Sequence, residues 1–195
     1  SNTQLDATYE QLNAALGFKT SPVTGLWFNI YGGYQDLKNN LASAAIANYS
    51  GSYLQLLQGN MHNIYAGAEA SYSYKDIISF TASGIYRDWK TAKTENNSGD
   101  QLLYYMPSFE ANFKVDIRPI SSVLINLGYQ HITREKIGNE RVDPVGNLYL
   151  GGSYEVFEGI SIYVRANNLL NKDYQYYPGY PTEGINFMGG VSFRF

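Results

Sequence analysis

Residues 106–117 read MPSFEANFKVDI, and no other feature restricts the fold of this chain as much as the order of those letters. Pro107, Phe109, Ala111, Phe113, Val115 and Ile117 alternate with Met106, Ser108, Glu110, Asn112, Lys114 and Asp116. Successive side chains of a β-strand point to opposite faces, so the stretch fits a strand with one apolar and one polar face. A helix would scatter both sets around its axis.

The same period returns along the chain. Leu12, Ala14, Leu16 and Phe18 oppose Gln11, Asn13, Gly17 and Lys19, and Leu26, Phe28, Ile30 and Tyr34 oppose Asn29, Gly33 and Gln35. Ile64, Ala66, Ala68, Ala70 and Tyr72 oppose Asn63, Glu69, Ser71 and Ser73, then Ile78, Phe80, Ala82 and Tyr86 oppose Ser79, Thr81, Ser83 and Arg87. Val123, Ile125, Leu127 and Tyr129 face away from Ser122, Asn126, Gly128 and Gln130. Leu148, Leu150, Tyr154 and Val156 alternate with Asn147, Ser153 and Glu155, and Ile160, Ile162, Val164 and Ala166 with Ser161, Arg165 and Asn167. In the closing NFMGGVSFRF, Phe187, Gly189, Val191, Phe193 and Phe195 share a face, which makes about nine strands. A tenth element could lie in residues 46–58, as a strand or a short helix, or within the first ten residues.

Connection lengths sharpen the picture. Short links at 21–25, 74–76, 118–121 and 157–159 carry the Pro, Gly and Asp chemistry of tight hairpins, and much longer, mostly polar links separate the other neighbours. Alternating short and long loops on amphipathic strands is the layout of an outer-membrane barrel with periplasmic turns and extracellular loops. The alternative is a soluble antiparallel β protein, in which the apolar face points inward. Three features favour the membrane. The polar faces are rich in Gly, Ser, Asn and Gln rather than Lys and Glu, Tyr and Trp gather near strand ends, and the sequence closes on an aromatic strand. The expected fold is all-β, an antiparallel up-and-down transmembrane β-barrel over residues 1–195, in the bacterial outer membrane.

Other classes find little support. The chain has no cysteine, hence no disulfide or zinc-thiolate site, and no apolar run approaches the roughly 20 residues of a membrane helix. A net charge of −3 with no basic run argues against nucleic acid as a partner. His62 has the parity of Ile64 and His131 that of Tyr129, so both read as strand caps near an interface rather than bases. No Ser, His and Asp set assembles on one polar face, so no enzyme is expected, no catalytic, cofactor or metal residue is assigned, and a phospholipase or protease is a minor alternative.

Residues 167–195, NNLLNKDYQYYPGYPTEGINFMGGVSFRF, resemble the C-terminal end of TonB-dependent outer-membrane receptors. The motif positions are Asn168, Leu169, Leu170, Asn171, Lys172 and Tyr174, followed by an aromatic, Pro- and Gly-rich loop and a final strand ending on Phe195. A Pro-Gly-Arg common before that strand stands here as Glu183, Gly184 and Ile185, so no ligand-binding residue is carried over. The resemblance implies a barrel of about 22 strands closed by an N-terminal plug. It further implies energy from the TonB system through that absent part, and uptake of a scarce small-molecule nutrient such as a siderophore, haem or cobalamin. It also implies that Phe187, Val191, Phe193 and Phe195 form a signal read by the barrel assembly machinery, with outer-membrane lipid as the surrounding partner. On this reading the chain is the C-terminal part of the wall, without the plug. A small self-contained barrel with a structural or adhesin role is the alternative.

Charge falls on the polar faces at Glu69, Arg87, Glu110, Lys114, Asp116, Glu155 and Arg165. These would either pair across strands inside a barrel or line a solute path and grip a plug. Tyr174, Tyr176, Tyr177 and Tyr180 would either stack on a ligand or anchor a loop at the interface. A piece of wall folding alone exposes two unpaired edges, and is expected to close on itself or associate edge to edge with a second copy.

Overall fold

A computed structural model of the chain describes residue 7 and residues 9–48, 51–91, 106–135, 142–177 and 180–195. Side chains are described for all of these except residues 39–48, 51–58, 176, 177 and 180. The elements are β1 (Tyr9–Val23), β2 (Leu26–Asn48), β3 (Gly51–Tyr74), β4 (Ile78–Thr91), β5 (Pro107–Ile120), β6 (Val123–Arg134), β7 (Val145–Phe157), β8 (Ile160–Asn167), β9 (Gln175–Tyr177), β10 (Tyr180–Pro181) and β11 (Asn186–Phe193). Nine of them form one antiparallel meander in the order β1-β2-β3-β4-β5-β6-β7-β8-β11, and β9 and β10 make a small ribbon in the last long loop. All nine strands expected from period two are present.

Their bounds differ from the alternation in one informative place. β2 and β3 continue past Gln35 and Asn63, and after a register shift between Leu37 and Asn40 they stay paired from Asn40↔Gly59 to Asn48↔Gly51. Residues 46–48 therefore belong to β2 and residues 51–58 to β3, not to a separate strand or helix. A membrane strand needs only about 9–11 residues. Beyond that length lipid no longer selects apolar residues on one side, so alternation can stop while backbone pairing goes on. Residues 1–6 and 8, in which a further strand was considered, lie outside the described residues.

Pairing aligns the apolar faces into rows across the sheet. One row runs Thr20, Phe28, Ala70, Ala82, Phe113, Tyr129, Leu148, and the next runs Leu26, Tyr72, Phe80, Val115, Leu127, Leu150, Ala166, Phe187. No second layer covers them. Leu16, Phe18, Ile30, Ile64, Val164 and Phe187 are between 62% and 85% exposed, which reverses the arrangement of a soluble β protein. The soluble alternative fails here, because its defining property is a buried apolar face.

The short turns are set by local chemistry. Gly25 and Gly159 sit at φ of 83° and 81°, a left-handed region that side chains avoid. The Gly159 carbonyl accepts from Arg194 N at 2.7 Å and that of Gly25 from Ser73 N at 2.8 Å, so each turn is pinned to the neighbouring strand. β11 ends at Phe193, and the Arg194 bond carries the pairing one residue further while Phe195 is fully exposed.

Among the described residues the sheet is open: β1 pairs only with β2, and β11 only with β8. The self-closure expected of a lone piece is not adopted. With nine strands in an antiparallel meander, β1 and β11 run in the same direction, and closing would need a parallel pair where every other pair is antiparallel.

The polar face repeats one packing device. Tyr31 lies opposite Gly67, Tyr65 opposite Gly33, Tyr149 opposite Gly128 and Tyr163 opposite Gly190. In each pair the ring lies so close over the glycine that a Cβ there would come within 2.1–2.5 Å of a tyrosine atom. Glycine lacks a packing side chain, and the cross-strand ring restores the lost contact and shields the backbone. Gly67→Val or Gly128→Val should displace its tyrosine and cost about 1–3 kcal/mol, read as a lower urea midpoint for unfolding in lipid. Gly152→Ala, where the nearest atom would be 3.5 Å from the new Cβ, should cost far less.

Candidate functional site on the polar face

All seven charged residues singled out from the sequence lie on the face opposite the apolar rows, and the structure divides them into groups. Toward the long-loop ends of β1–β4, the Arg87 guanidinium lies 4.9 Å from the centre of the Tyr65 ring and 6.0 Å from that of Trp89. It donates to Asn63 Oδ1 at 2.9 Å and to Gln35 Oε1 at 3.2 Å. Asn63, fully buried, donates to the same Gln35 oxygen at 3.0 Å, and Gln35 donates in turn to the Glu10 carboxylate. Tyr65 donates its hydroxyl to Asn13 Oδ1 at 2.8 Å. The result is a hydrogen-bonded belt across four strands, and among the described residues the contacts of Arg87 are made within the wall. Two rows nearer the short turns, Glu69 accepts from Asn29 Nδ2 at 2.8 Å. Glu110 makes no side-chain hydrogen bond among the described residues.

Further toward the short turns, Lys114 Nζ lies 3.3 Å from Asp116 Oδ2, while Asp116 Oδ1 accepts from Asn126 Nδ2 at 2.6 Å. Arg165 donates Nε to Asn167 Oδ1 at 2.7 Å and stacks 3.9 Å over the Tyr149 ring. Glu155 Oε1 accepts from the Gly159 backbone N–H at 3.3 Å, which caps the turn. Among the described residues Glu69, Arg87, Lys114, Asp116, Glu155 and Arg165 each meet a polar partner within the wall, and Lys114 with Asp116 is the one ion pair among the seven.

The histidines stay on the outward face. The Tyr34 and His62 rings are 5.7 Å apart, and His131 stacks on Tyr129 at 6.4 Å with its Nε2 2.9 Å from Thr133 Oγ1. They belong to aromatic clusters near the long-loop side. No group of His, Asp and Glu that could hold a metal occurs among the described residues.

Two buried apolar clusters escaped the alternation, because they lie on the polar face. Met61 and Trp89 pack with Leu37 and Met106, and Trp89 Nε1 donates to Pro107 O at 2.7 Å. Nearby, burial pushes the Glu135 carboxyl above its ordinary value; a Trp89 backbone N–H opposes this, Asp88 reinforces it and Lys90 opposes it. The second cluster is Ile132, Val145 and Tyr174, and it explains the motif of residues 168–174. Asn168, 1% exposed, holds a left-handed φ of 52°. Its Nδ2 donates to Lys172 O and to Glu183 O, both at 3.0 Å, and its Oδ1 accepts from Lys172 N at 3.1 Å. Its backbone N–H donates to Asn147 Oδ1 at 2.8 Å. One side chain thus ties the start of the last loop to its end, and Tyr174 seats the loop on β6 and β7. Tyr174 is buried as a loop anchor; the side chains of Tyr176, Tyr177 and Tyr180 lie outside the described residues.

No protein-family model matches the sequence, and no curated protein matches it. Solved structures do resemble the fold. The copper transporter OprC superposes with a TM-score of 0.68 at 18% identity, over 94% of this chain and 31% of its own. The FrpB iron transporter of Neisseria meningitidis gives 0.67 at 14% identity over 98% and 32%, and the siderophore receptor PirA of Acinetobacter baumannii 0.66 at 13% over 94% and 31%. This chain spans about a third of the length of each. The fold is that of a segment of an outer-membrane β-barrel, and the neighbours bear out, at the level of fold, the resemblance to receptor barrels carried by residues 167–195.

Asn168→Ala should loosen the loop by about 1–3 kcal/mol, from three lost side-chain bonds and a strained left-handed backbone. Asn168→Gly should lose the bonds without the strain and fall between alanine and wild type. Amide exchange at Lys172 and Thr182 is the measurement, and unchanged exchange in both variants would refute the role.

Proposed function

We propose that the chain is the C-terminal part of the barrel wall of a TonB-dependent outer-membrane receptor that takes up a scarce nutrient. The observation that carries this reading is the uncovered, in-register apolar face set against a hydrogen-bonded polar face, a combination suited to lipid on one side and a water-filled lumen on the other. The motif at residues 168–174 supports the family, and the neighbours named as copper and iron transporters or siderophore receptor support uptake rather than catalysis. The wall holds every backbone group paired across the bilayer, places the long loops outside, and meets further strands of the same receptor at β1 and β11. Among the described residues β1 and β11 do not pair with each other, which supports this reading over a self-contained barrel. Plug, TonB contact and ligand selection belong to the rest of the receptor. Edge-to-edge association with a second copy is what β1 and β11 would do if the piece were expressed by itself.

The absence of native cysteine in this chain allows a direct test in the full-length receptor. Single cysteines replacing Ile162 or Val164 should resist a water-soluble maleimide in intact outer membranes, and cysteines replacing Ser153 or Ser161 should react. Equal labelling of the two sets would sink the assignment of faces. Phe187, Val191, Phe193 and Phe195 share the lipid-side parity, and we assign them to recognition by the assembly machinery. Removing Phe195 should lower folded receptor and TonB-dependent uptake in proportion, with unchanged ligand affinity in the fraction that assembles; normal assembly would overturn that role.

A further inference from the structure

Near its long-loop rim the wall carries a cation on the outward side. The loop that follows β8 crosses the end of β7, where Leu169 N donates to Leu148 O at 3.0 Å. There it straddles the rim. Tyr174 packs with Ile132 and Val145 on the polar face, whereas Lys172 reaches Gly146, the cross-strand partner of His131, on the outward face. A Cβ at Gly146 would lie 2.9 Å from the Tyr129 hydroxyl oxygen, 3.6 Å from Lys172 Cδ and 3.7 Å from Lys172 Nζ. The glycine thus lets the lysine stem lie against the wall, with its ammonium and the Tyr129 hydroxyl bordering the same spot. His131, its Nε2 2.9 Å from Thr133 Oγ1, stacks on the Tyr129 ring and holds it in place.

Depth places this spot at the edge of the bilayer. β7 is 13 residues long, roughly 40 Å at about 3.3 Å per residue and roughly 30 Å along the membrane normal at a tilt of about 40°. Gly146, its second residue, therefore sits at the far edge of an apolar band about 25 Å tall. Directly below, Leu127 and Leu150 pair across the strands and stay exposed on the outward face. Neither a plug inside the lumen nor strands beyond β1 and β11 would cover this place, because it faces outward and β6 and β7 are flanked on both sides within the sheet.

The lysine charge is not used to hold the loop. Lys172 bonds to Asn168 through its backbone N–H and carbonyl, and the ion pairs among the described residues are Lys38–Asp36, Lys90–Asp88 and Lys114–Asp116. A lysine at a lipid boundary keeps its stem on apolar surface and its ammonium at the headgroup level. Phosphate is the anion a lysine point charge and a neighbouring hydroxyl donor suit there.

We infer that Lys172 and the Tyr129 hydroxyl form a seat for the phosphate of an external-leaflet lipid, whose acyl chains lie along Leu127 and Leu150. The seat rests on the reading of the outward face as lipid-facing, and the cysteine labelling above tests that reading separately.

The test uses the full-length receptor in dodecyl maltoside, with diphosphoryl lipid A as a phosphate-bearing glycolipid probe and native mass spectrometry to count bound lipid. Wild type should bind at micromolar probe, and the same lipid stripped of both phosphates should bind severalfold more weakly. Lys172→Gln should weaken binding fivefold or more, and Lys172→Arg should keep it within twofold. Tyr129→Phe, which keeps the ring and loses the hydroxyl, should weaken it twofold to threefold; it decides the matter should Lys172→Gln not fold, judged by heat-modifiable migration. Lys90→Gln removes another outward cation, 3.6 Å from Asp88, and should leave binding unchanged. No binding by wild type, unchanged binding in the deciding variant, an equal loss in Lys90→Gln, equal binding of the stripped lipid, or displacement by equimolar inorganic phosphate would each overturn the inference.

Discussion

The continuous antiparallel ladder from β1 to β11 is the interaction on which everything else in this structure depends. In a surrounding without water, an unpaired N–H or C=O costs several kcal/mol, so a wall facing lipid must satisfy its backbone through its neighbours. That requirement keeps each strand in register with the next. Register in turn decides which side chains share a row, because a slip of one residue would exchange the two faces. The apolar rows through Phe80, Val115 and Leu127 and the polar belt through Gln35, Asn63 and Arg87 are two products of the same ladder.

A wide barrel must also keep its polar side filled well enough to be stable and open enough to be useful. The four Tyr–Gly pairs meet both needs, since each ring covers backbone that glycine leaves bare and lies along the wall instead of standing across it. Charges on this side are mostly spent locally. Arg87 is held by two amide oxygens and two rings, and Arg165 by one amide oxygen and one ring.

Much of this was legible in advance. Alternation found all nine strands, the two faces, the outward parity of His62 and His131, and the polar parity of all seven charged residues. It failed in two places: the paired part of β2 and β3 from Asn40↔Gly59 outward, and the clusters around Met61, Trp89, Val145 and Tyr174, where the polar side packs against its own loop or neighbouring strands. The motif at residues 168–174 was recognisable as a string of letters. That Asn168 joins both ends of a loop was not, because its partner Glu183 lies 15 residues away and no local pattern links them.

By itself the sequence determined the nine alternating segments, their amphipathic faces and the kind of turn at each short link, because these depend on side-chain period and backbone preference within a few residues. The tertiary structure decided which face stays uncovered, that β1 and β11 remain apart, and which of the polar-face charges are used up in pairs. Those outcomes depend on register between strands far apart in the chain, and register emerges only when the whole ladder forms.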